Sequence, residues 1–431
     1  MGDDGAFFDT IIACLSEVFT APSREIFARL ASSWVICPGR KTVTNLYRLA
    51  EPLSERAHDA YHRFLRQGAW SLSELWRIVA CLLVAAFCPE GRMPIDLDDT
   101  LFHKTGRRIE DAAWWRDAVA STGQRVVHAF GLNLVVLTLR VKAPWGGEPL
   151  GLPVNMRLHR KGGKSLLDLA AEAVVETASW FPMREFDLCA DGFYSSLAGY
   201  CLERVFFTSR MRRDAALFNL PPERKKGQRG RPRKRGERLL CPEEMASSYD
   251  GWWKRVKVDE RGKDRERLVF TRDVLWYKVC PEQAVRLVVS RDPSGKEKDD
   301  FFFTTDTGAA PEDVVARYAG RWSIEDTFRN TKQHLGGQDP QTWKGQGPER
   351  AAAFSLVLYS VVWLWYIETH GARVSWLPVP WYPAKKTPSF LDALISLRRV
   401  LWRRRIFTAS ESSSLMPEIA DGLIHVLSRA A

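Results

Sequence analysis

The chain has 431 residues, 45% of them hydrophobic and 27% charged, enough for a sizeable core and for more than one domain. Lys and Arg number 63 against 52 Asp plus Glu, a net charge of +11 that favours a polyanionic partner, nucleic acid foremost. The eight Cys residues include no C-x-x-C pair, which argues against a zinc signature or a secreted disulfide framework and predicts reduced thiols.

The opening MGDDGAFF lacks the basic start of a signal peptide. Residues 1–90 read as a helical region, with apolar Phe8, Ile11, Ile12 and Leu15 at helical spacing and a capping signal in Ser71 and Glu74. The texture then turns to strand. Over 91–210 the chain offers MPIDLDDTLF, RVVHAF and GLNLVVLTLRV as antiparallel neighbours split by a Gly, then EPLGLPVNMRL. A helix over 164–180, a strand EFDLCAD, a helix LAGYCLE and a strand RVFFTSR follow. Three strands, a helix, a strand, a helix and a strand is the order of a ribonuclease-H-like domain, an α/β fold whose mixed sheet is covered by helices. Such sheets carry functional groups at strand ends.

Residues 211–300 read as a basic loop and a β-rich insertion, with strand-like WKRVKV, RLVFTR, VLWYKV and AVRLVVS. Residues 301–370 return to the core with a long helix over 311–334 and an uncharged helix over 351–367. The latter has about 17 residues, the lower limit for spanning a bilayer, and is read as a buried core helix of a soluble protein. A Pro-rich linker and a helical segment with two basic clusters fill 371–431.

In the helix over 311–334, Tyr318, Arg321, Glu325 and Lys332 project within a sector of about 60° on one face. Taken alone, that pattern fits a solvated ion-pair face, Arg321 and Glu325 being four apart. The spacing Y-x-x-R-x-x-x-E-x-x-x-x-x-x-K, with Trp322 after the arginine, resembles the Y-R-E-K signature of bacterial insertion-sequence DDE transposases. LDDTLFHKTG resembles that family's first-aspartate motif and FDLCADGFYSS its second, so the likeness runs from about Ile95 to Trp365.

The resemblance implies a metal-dependent DNA transposase in which Asp99, Asp191 and Glu325 hold two Mg²⁺ or Mn²⁺ ions. Asp99 directly precedes Thr100, and Asp98 is the alternative. Asp187 competes with Asp191 but lies mid-strand, and Asp326 is rotated off the face of Glu325. Tyr318, Arg321 and Lys332 are implied contacts to DNA phosphates. The implied partners are double-stranded DNA (transposon inverted repeats and target) and a second copy in a homodimer, with no membrane, in a cytoplasmic setting and nucleoid-associated when active. Residues 1–90 would help bind transposon ends, and cut-and-paste transposition is the expected outcome. A non-catalytic DNA-binding descendant and a nuclease of the same fold are the alternatives.

The run over 224–238 carries nine basic residues and one acid, so it reads as a flexible phosphate-binding arm with Arg229, Arg231, Arg233, Lys234 and Arg235. Its R-G-R-P core matches minor-groove hooks weakly. Trp252, and behind it Trp253 or Phe301, is a candidate to stack on an unpaired base. His103 and His334 receive no role.

Overall fold

The computed structural model describes residues 4–53, 55–222, 231, 233–248, 252–372, 376, 380–410 and 417–430. Five helices come first: α1 (Asp4–Leu15), α2 (Ala21–Ile36), α3 (Val43–Ala50), α4 (His58–Gln67) and α5 (Leu72–Phe87). The expected cap is present, since Ser71 accepts from the Glu74 backbone at 3.2 Å. The sheet then begins with β1 (Met93–His103), β2 (Ala113–Arg116), β3 (His128–Val141) and β4 (Leu150–His159). Next come α6 (Leu166–Trp180), β5 (Phe186–Ala190), a 3₁₀ segment Gly192–Tyr200 and β6 (Val205–Arg210). The last part holds α7 (Pro242–Ser248), β7 (Lys254–Asp259), β8 (Asp264–Val274), β9 (Val285–Arg291), β10 (Asp300–Thr304), α8 (Pro311–Gly320), α9 (Ser323–Gln333), α10 (Gly347–His370), α11 (Phe390–Ser410) and α12 (Pro417–Arg429).

One ten-stranded mixed sheet organises these elements in the order β2-β3-β1-β5-β6-β10-β9-β8-β7, with β4 on β3. β1 is antiparallel to β3 and parallel to β5, and β5 is parallel to β6. That central order is consistent with the ribonuclease-H-like reading. Several local expectations are corrected. RVVHAF is not a separate strand, because β3 runs straight through Gly131 and its outer partner is β2. Gly131 is needed for contact, not for a turn: a Cβ there would lie 2.3 Å from the Phe102 carbonyl oxygen on β1. LAGYCLE is not an α-helix: its first four residues end the 3₁₀ segment and the rest is irregular, and VLWYKV leaves β8 after Val274 and ends in a turn. The strands of the β-rich insertion extend the core sheet. β10 pairs with β6 on one side and β9 on the other, which joins β7–β9 to the core sheet.

The helices of residues 1–90 do not stand apart either. A single apolar cluster runs from Phe8 through Trp34, Trp76 and Leu134 to Trp363 and Leu397. Its axis is α10. That helix is long and apolar enough to cross a membrane, but 94% of its most apolar window is buried within the fold. Polar side chains lock the assembly where backbone carbonyls need partners. Trp34 Nε1 donates to the Leu335 carbonyl at 2.7 Å, Arg398 Nε to that of Val35 at 2.7 Å, and Arg350 Nη1 to that of Gly68 at 3.0 Å.

Candidate active site

The site is built where β1, β5 and the α8–α9 segment meet. Strand alternation divides the acids of β1 between two faces of the sheet. Asp96 is fully buried and receives Arg140 Nε at 2.9 Å. Asp98 lies on the same face and meets Arg321. Asp99 points to the other face, where it accepts from Tyr194 Oη at 2.9 Å. The parallel register pairs Leu97 with Ala190, so the next residues along the two strands, Asp98 and Asp191, stand side by side.

Residues 311–334 do not form one uninterrupted helix. Between α8 and α9 the backbone tightens: Arg321 N reaches both the Arg317 and Tyr318 carbonyls, and Ile324 N and Glu325 N bond three residues back to Arg321 and Trp322. Such 3₁₀ turns wind faster than an α-helix and rotate the groups on either side of the break. Gly320 lets the break sit close to the sheet, because a Cβ there would lie 2.9 Å from Arg140 Cδ.

The result turns Arg321 inward. Its side chain is only 7% exposed, with Nη1 2.7 Å from Asp98 Oδ2 and Nη2 2.9 Å from Glu325 Oε1. A guanidinium between two carboxylates from distant chain segments is a charge-assisted bridge. It is more than the solvated pair that four-residue spacing alone suggests. Burial pushes the Asp98 carboxyl up to about 7; Arg321 opposes this, while Asp191 and Asp99 add to it. Burial also raises Asp99, with the Tyr194 hydrogen bond opposing and Asp191 reinforcing the rise.

The other signature residues spread along the same face. Tyr318 packs its ring on Phe302 at 4.8 Å, with the guanidinium carbons of Arg210 and Arg321 5.4 and 5.5 Å from its centroid. Lys332 lies further along α9, its Nζ 5.9 Å from the Phe102 ring, and burial lowers its pKa. Asp191 caps the 3₁₀ segment by accepting from Phe193 N at 3.0 Å. The competing acids lie elsewhere. Asp187 faces Arg317 at 3.1 Å and Arg92 at 3.6 Å, and Asp326 pairs with Arg329 at 2.7 Å.

Among the described residues no three His, Cys, Asp or Glu side chains are grouped so as to hold a metal ion directly. The donor set nevertheless fits divalent cations. Hard carboxylate oxygens at β1, just past β5 and on α9 suit such ions, and the Asp98 carboxyl is raised by burial with Asp191 and Asp99 adding to it, a repulsion that a cation would relieve.

Of the expected arm, Arg229 lies outside the described residues, whereas Arg231, Arg233 and Lys234 are exposed. The end of the run is not a free arm. Arg235 stacks over Phe218 at 4.3 Å, Gly236 N donates to the Asn219 carbonyl, and Arg238 bridges Phe218. Trp252 is 58% exposed, but Trp253 is packed beneath Arg291 at 4.1 Å and Phe301 is buried, so neither is presented for stacking. Sequence reasoning missed Tyr194 and Asn133, the partners of Asp99; the β1–β3 register brings Asn133 to it, and the 3₁₀ turn after Asp191 brings Tyr194.

No curated protein matches the chain. The family described as DDE superfamily endonuclease matches residues 14–273, a span that includes Asp98, Asp99 and Asp191 and ends before Glu325. With that match covering more than half of its length, the chain belongs to the DDE superfamily of endonucleases.

Proposed function

We propose that this protein is a transposase that cuts DNA at transposon ends and joins the freed ends to target DNA in a cut-and-paste reaction. The observation that carries the reading is the Arg321 bridge, which draws Glu325 on α9 and Asp98 on β1 to one guanidinium beside Asp191. In the proposal Asp98, Asp191 and Glu325 hold two Mg²⁺ or Mn²⁺ ions. Asp98, the alternative named above, thereby takes the role that the resemblance implied for Asp99, because Asp99 faces away from Arg321. Bound divalent cations supply positive charge where a phosphoryl-transfer transition state accumulates negative charge.

The chain's own residues do the rest. Arg321 is released from the acids to take a phosphate oxygen pair, Lys332 offers a point charge further along the strand, and Tyr318 packs at the edge of the site. Asp99, held by Tyr194, positions the end of β1 against the segment that follows Asp191. The exposed residues Arg231, Arg233 and Lys234, continuing Arg229, add sequence-independent grip on the backbone, and Trp252 stacks on an unpaired base, a role its exposure supports. Two copies bridge the two ends.

The test uses labelled duplexes carrying the inverted repeats that flank the gene, with Mg²⁺ and a target plasmid. Cleavage followed by joined product supports the proposal. Cleavage without joining would make the protein a nuclease only, and binding without cleavage a non-catalytic descendant.

A further inference from the structure

The short strand β2 was not expected from the sequence, and with β3 it forms a two-stranded ribbon beyond the end of β1. Register fixes which way its side chains face. Asp98 pairs with Val136 and Phe102 with Leu132; continuing down β3, Phe130 pairs with Trp114 and His128 with Arg116. Paired residues share a face, and alternate residues along a strand return to it. Trp114, Arg116, His128 and Phe130 therefore lie on the same side of the sheet as Asp98.

That face is open. Trp114 is 62% exposed with its ring 5.9 Å from that of Phe130, and Arg116 and His128 are exposed beside them. The opposite face of β2 is closed, Trp115 lying against His159 at 4.4 Å. The charges of the surrounding loops are one-sided. Each acid of residues 104–128 is engaged within the fold: Glu110 with Gly345 N, Asp111 with Arg160, and Asp117 with His103 and the backbone of Val119 and Ala120. Arg107, Arg108, Arg116 and Arg125 are exposed, and among the described residues none has an acidic partner within 4.0 Å. An aromatic pair flanked by uncompensated arginines is the surface chemistry of a nucleic-acid track.

We propose that the β2–β3 ribbon is a second DNA-binding surface, holding the backbone of DNA that leaves the catalytic face past Lys332. The inference rests on the reading of that face as a DNA-cleaving site. At about 3.3 Å per strand residue, the Trp114 and Arg116 levels lie ~20 and ~26 Å along the sheet from Asp98. With ~3.4 Å per nucleotide, this corresponds to roughly six to eight nucleotides from the reacting phosphate. Arg116, Arg125, Arg107 and Arg108 bind phosphates, and Trp114 lies against sugar and base edges.

The full chain is tested by fluorescence anisotropy on a mixed-sequence 30-base-pair duplex between 50 and 300 mM salt, with thermal melts to confirm folding. The double variant Arg116→Ala/Arg125→Ala is expected to bind about 5–10-fold more weakly at ~100 mM salt and to lower the log–log salt slope by about two. Trp114→Ala is expected to weaken binding about 5-fold without changing the slope. Arg403→Ala, on the distant α11, is the charge control and stays within 2-fold. A double variant with wild-type affinity and slope overturns the proposal. A protein that loses affinity through the ribbon variants yet never cuts end DNA overturns the transposase reading and leaves the ribbon standing. Absence of duplex binding by the unmodified protein overturns both.

Discussion

Arg321 reaches Asp98 across 223 residues of chain, with its Nη1 2.7 Å from Asp98 Oδ2 and its side chain 7% exposed. Removing one partner of a buried ion pair leaves the other charge uncompensated, which typically costs about 3–5 kcal/mol. Arg321→Ala is therefore expected to lower stability by roughly that amount in chelator-treated protein. If divalent ions sit among the same acids, Mn²⁺ will recover a larger part of the loss in Arg321→Ala than it adds to the unmodified protein. Urea titrations with and without Mn²⁺ measure both; equal Mn²⁺ responses would dissociate Arg321 from the proposed metal acids.

The two neighbouring aspartates of β1 make a sharper comparison. Asp98→Asn, Asp191→Asn and Glu325→Gln are expected to abolish Mg²⁺-dependent cleavage while leaving duplex binding within a few-fold. Asp99→Asn keeps a hydrogen-bond acceptor for Tyr194 and is expected to retain cutting, slowed about 10–100-fold through displacement of the Asp191 segment. Loss of cutting in Asp99→Asn, with activity surviving in Asp98→Asn, would restore the sequence choice.

These acids also show what was legible in the sequence. The strands β1, β4, β5 and β6, the helix α6 between them, the core helix over 351–367 and the capping signal at Ser71 follow from local patterning and are present in the fold. Strand alternation sets Asp98 and Asp99 on opposite faces of β1; which of them meets Arg321 depends on pairing with β5 and on packing under α9, which no window of sequence encodes. The break at Arg321 had one local signal, Gly320, a poor helix former; the close approach of Arg140 beneath it is again a long-range contact. β2 escaped notice because four residues are too few for periodicity to register. The joining of the insertion to the core through β10 is a long-range pairing of the same kind.

Behind the site, Asp96 and Arg140 form a second buried pair whose work is structural. Asp96 is fully buried, and the Arg140 stem fills the space that Gly320 leaves open. Arg140→Met alone is expected to destabilise by about 3–5 kcal/mol, and Asp96→Leu/Arg140→Leu by much less, because no charge is left stranded. A double-mutant cycle in denaturant reads the coupling. Additive losses would show that the two side chains do not act as a pair.

The basic run calls for a different measurement. Substituting Arg229, Arg231, Arg233 and Lys234 by Gln is expected to weaken duplex binding on every sequence alike. The log–log salt slope should fall by up to about four, one for each phosphate neutralised. Arg235→Gln is expected to act on stability as well, since its guanidinium covers Phe218 at 4.3 Å and lies 5.1 Å from the Tyr277 centroid. An unchanged slope in the four-residue variant would remove the arm from the binding surface.

Lys104 supplies a pH test of how the segment after α9 is anchored. Its Nζ donates to the Gln338 and Pro340 carbonyls, each at 3.0 Å, and burial lowers its pKa to about 7. The unfolded chain titrates near 10.4. Below pH 7 the lysine is charged in both states, and the burial cost stands in full. From pH 7 to about 10.4 the unfolded chain holds the proton that the fold has released, so rising pH favours the fold. Stability of the unmodified protein relative to Lys104→Met is therefore expected to climb across that window, at up to about 1.4 kcal/mol per pH unit. Denaturant midpoints between pH 6.5 and 9.5 give the curve. A flat difference would mean that the two carbonyls keep Lys104 protonated throughout, making the anchor a permanent buried charge.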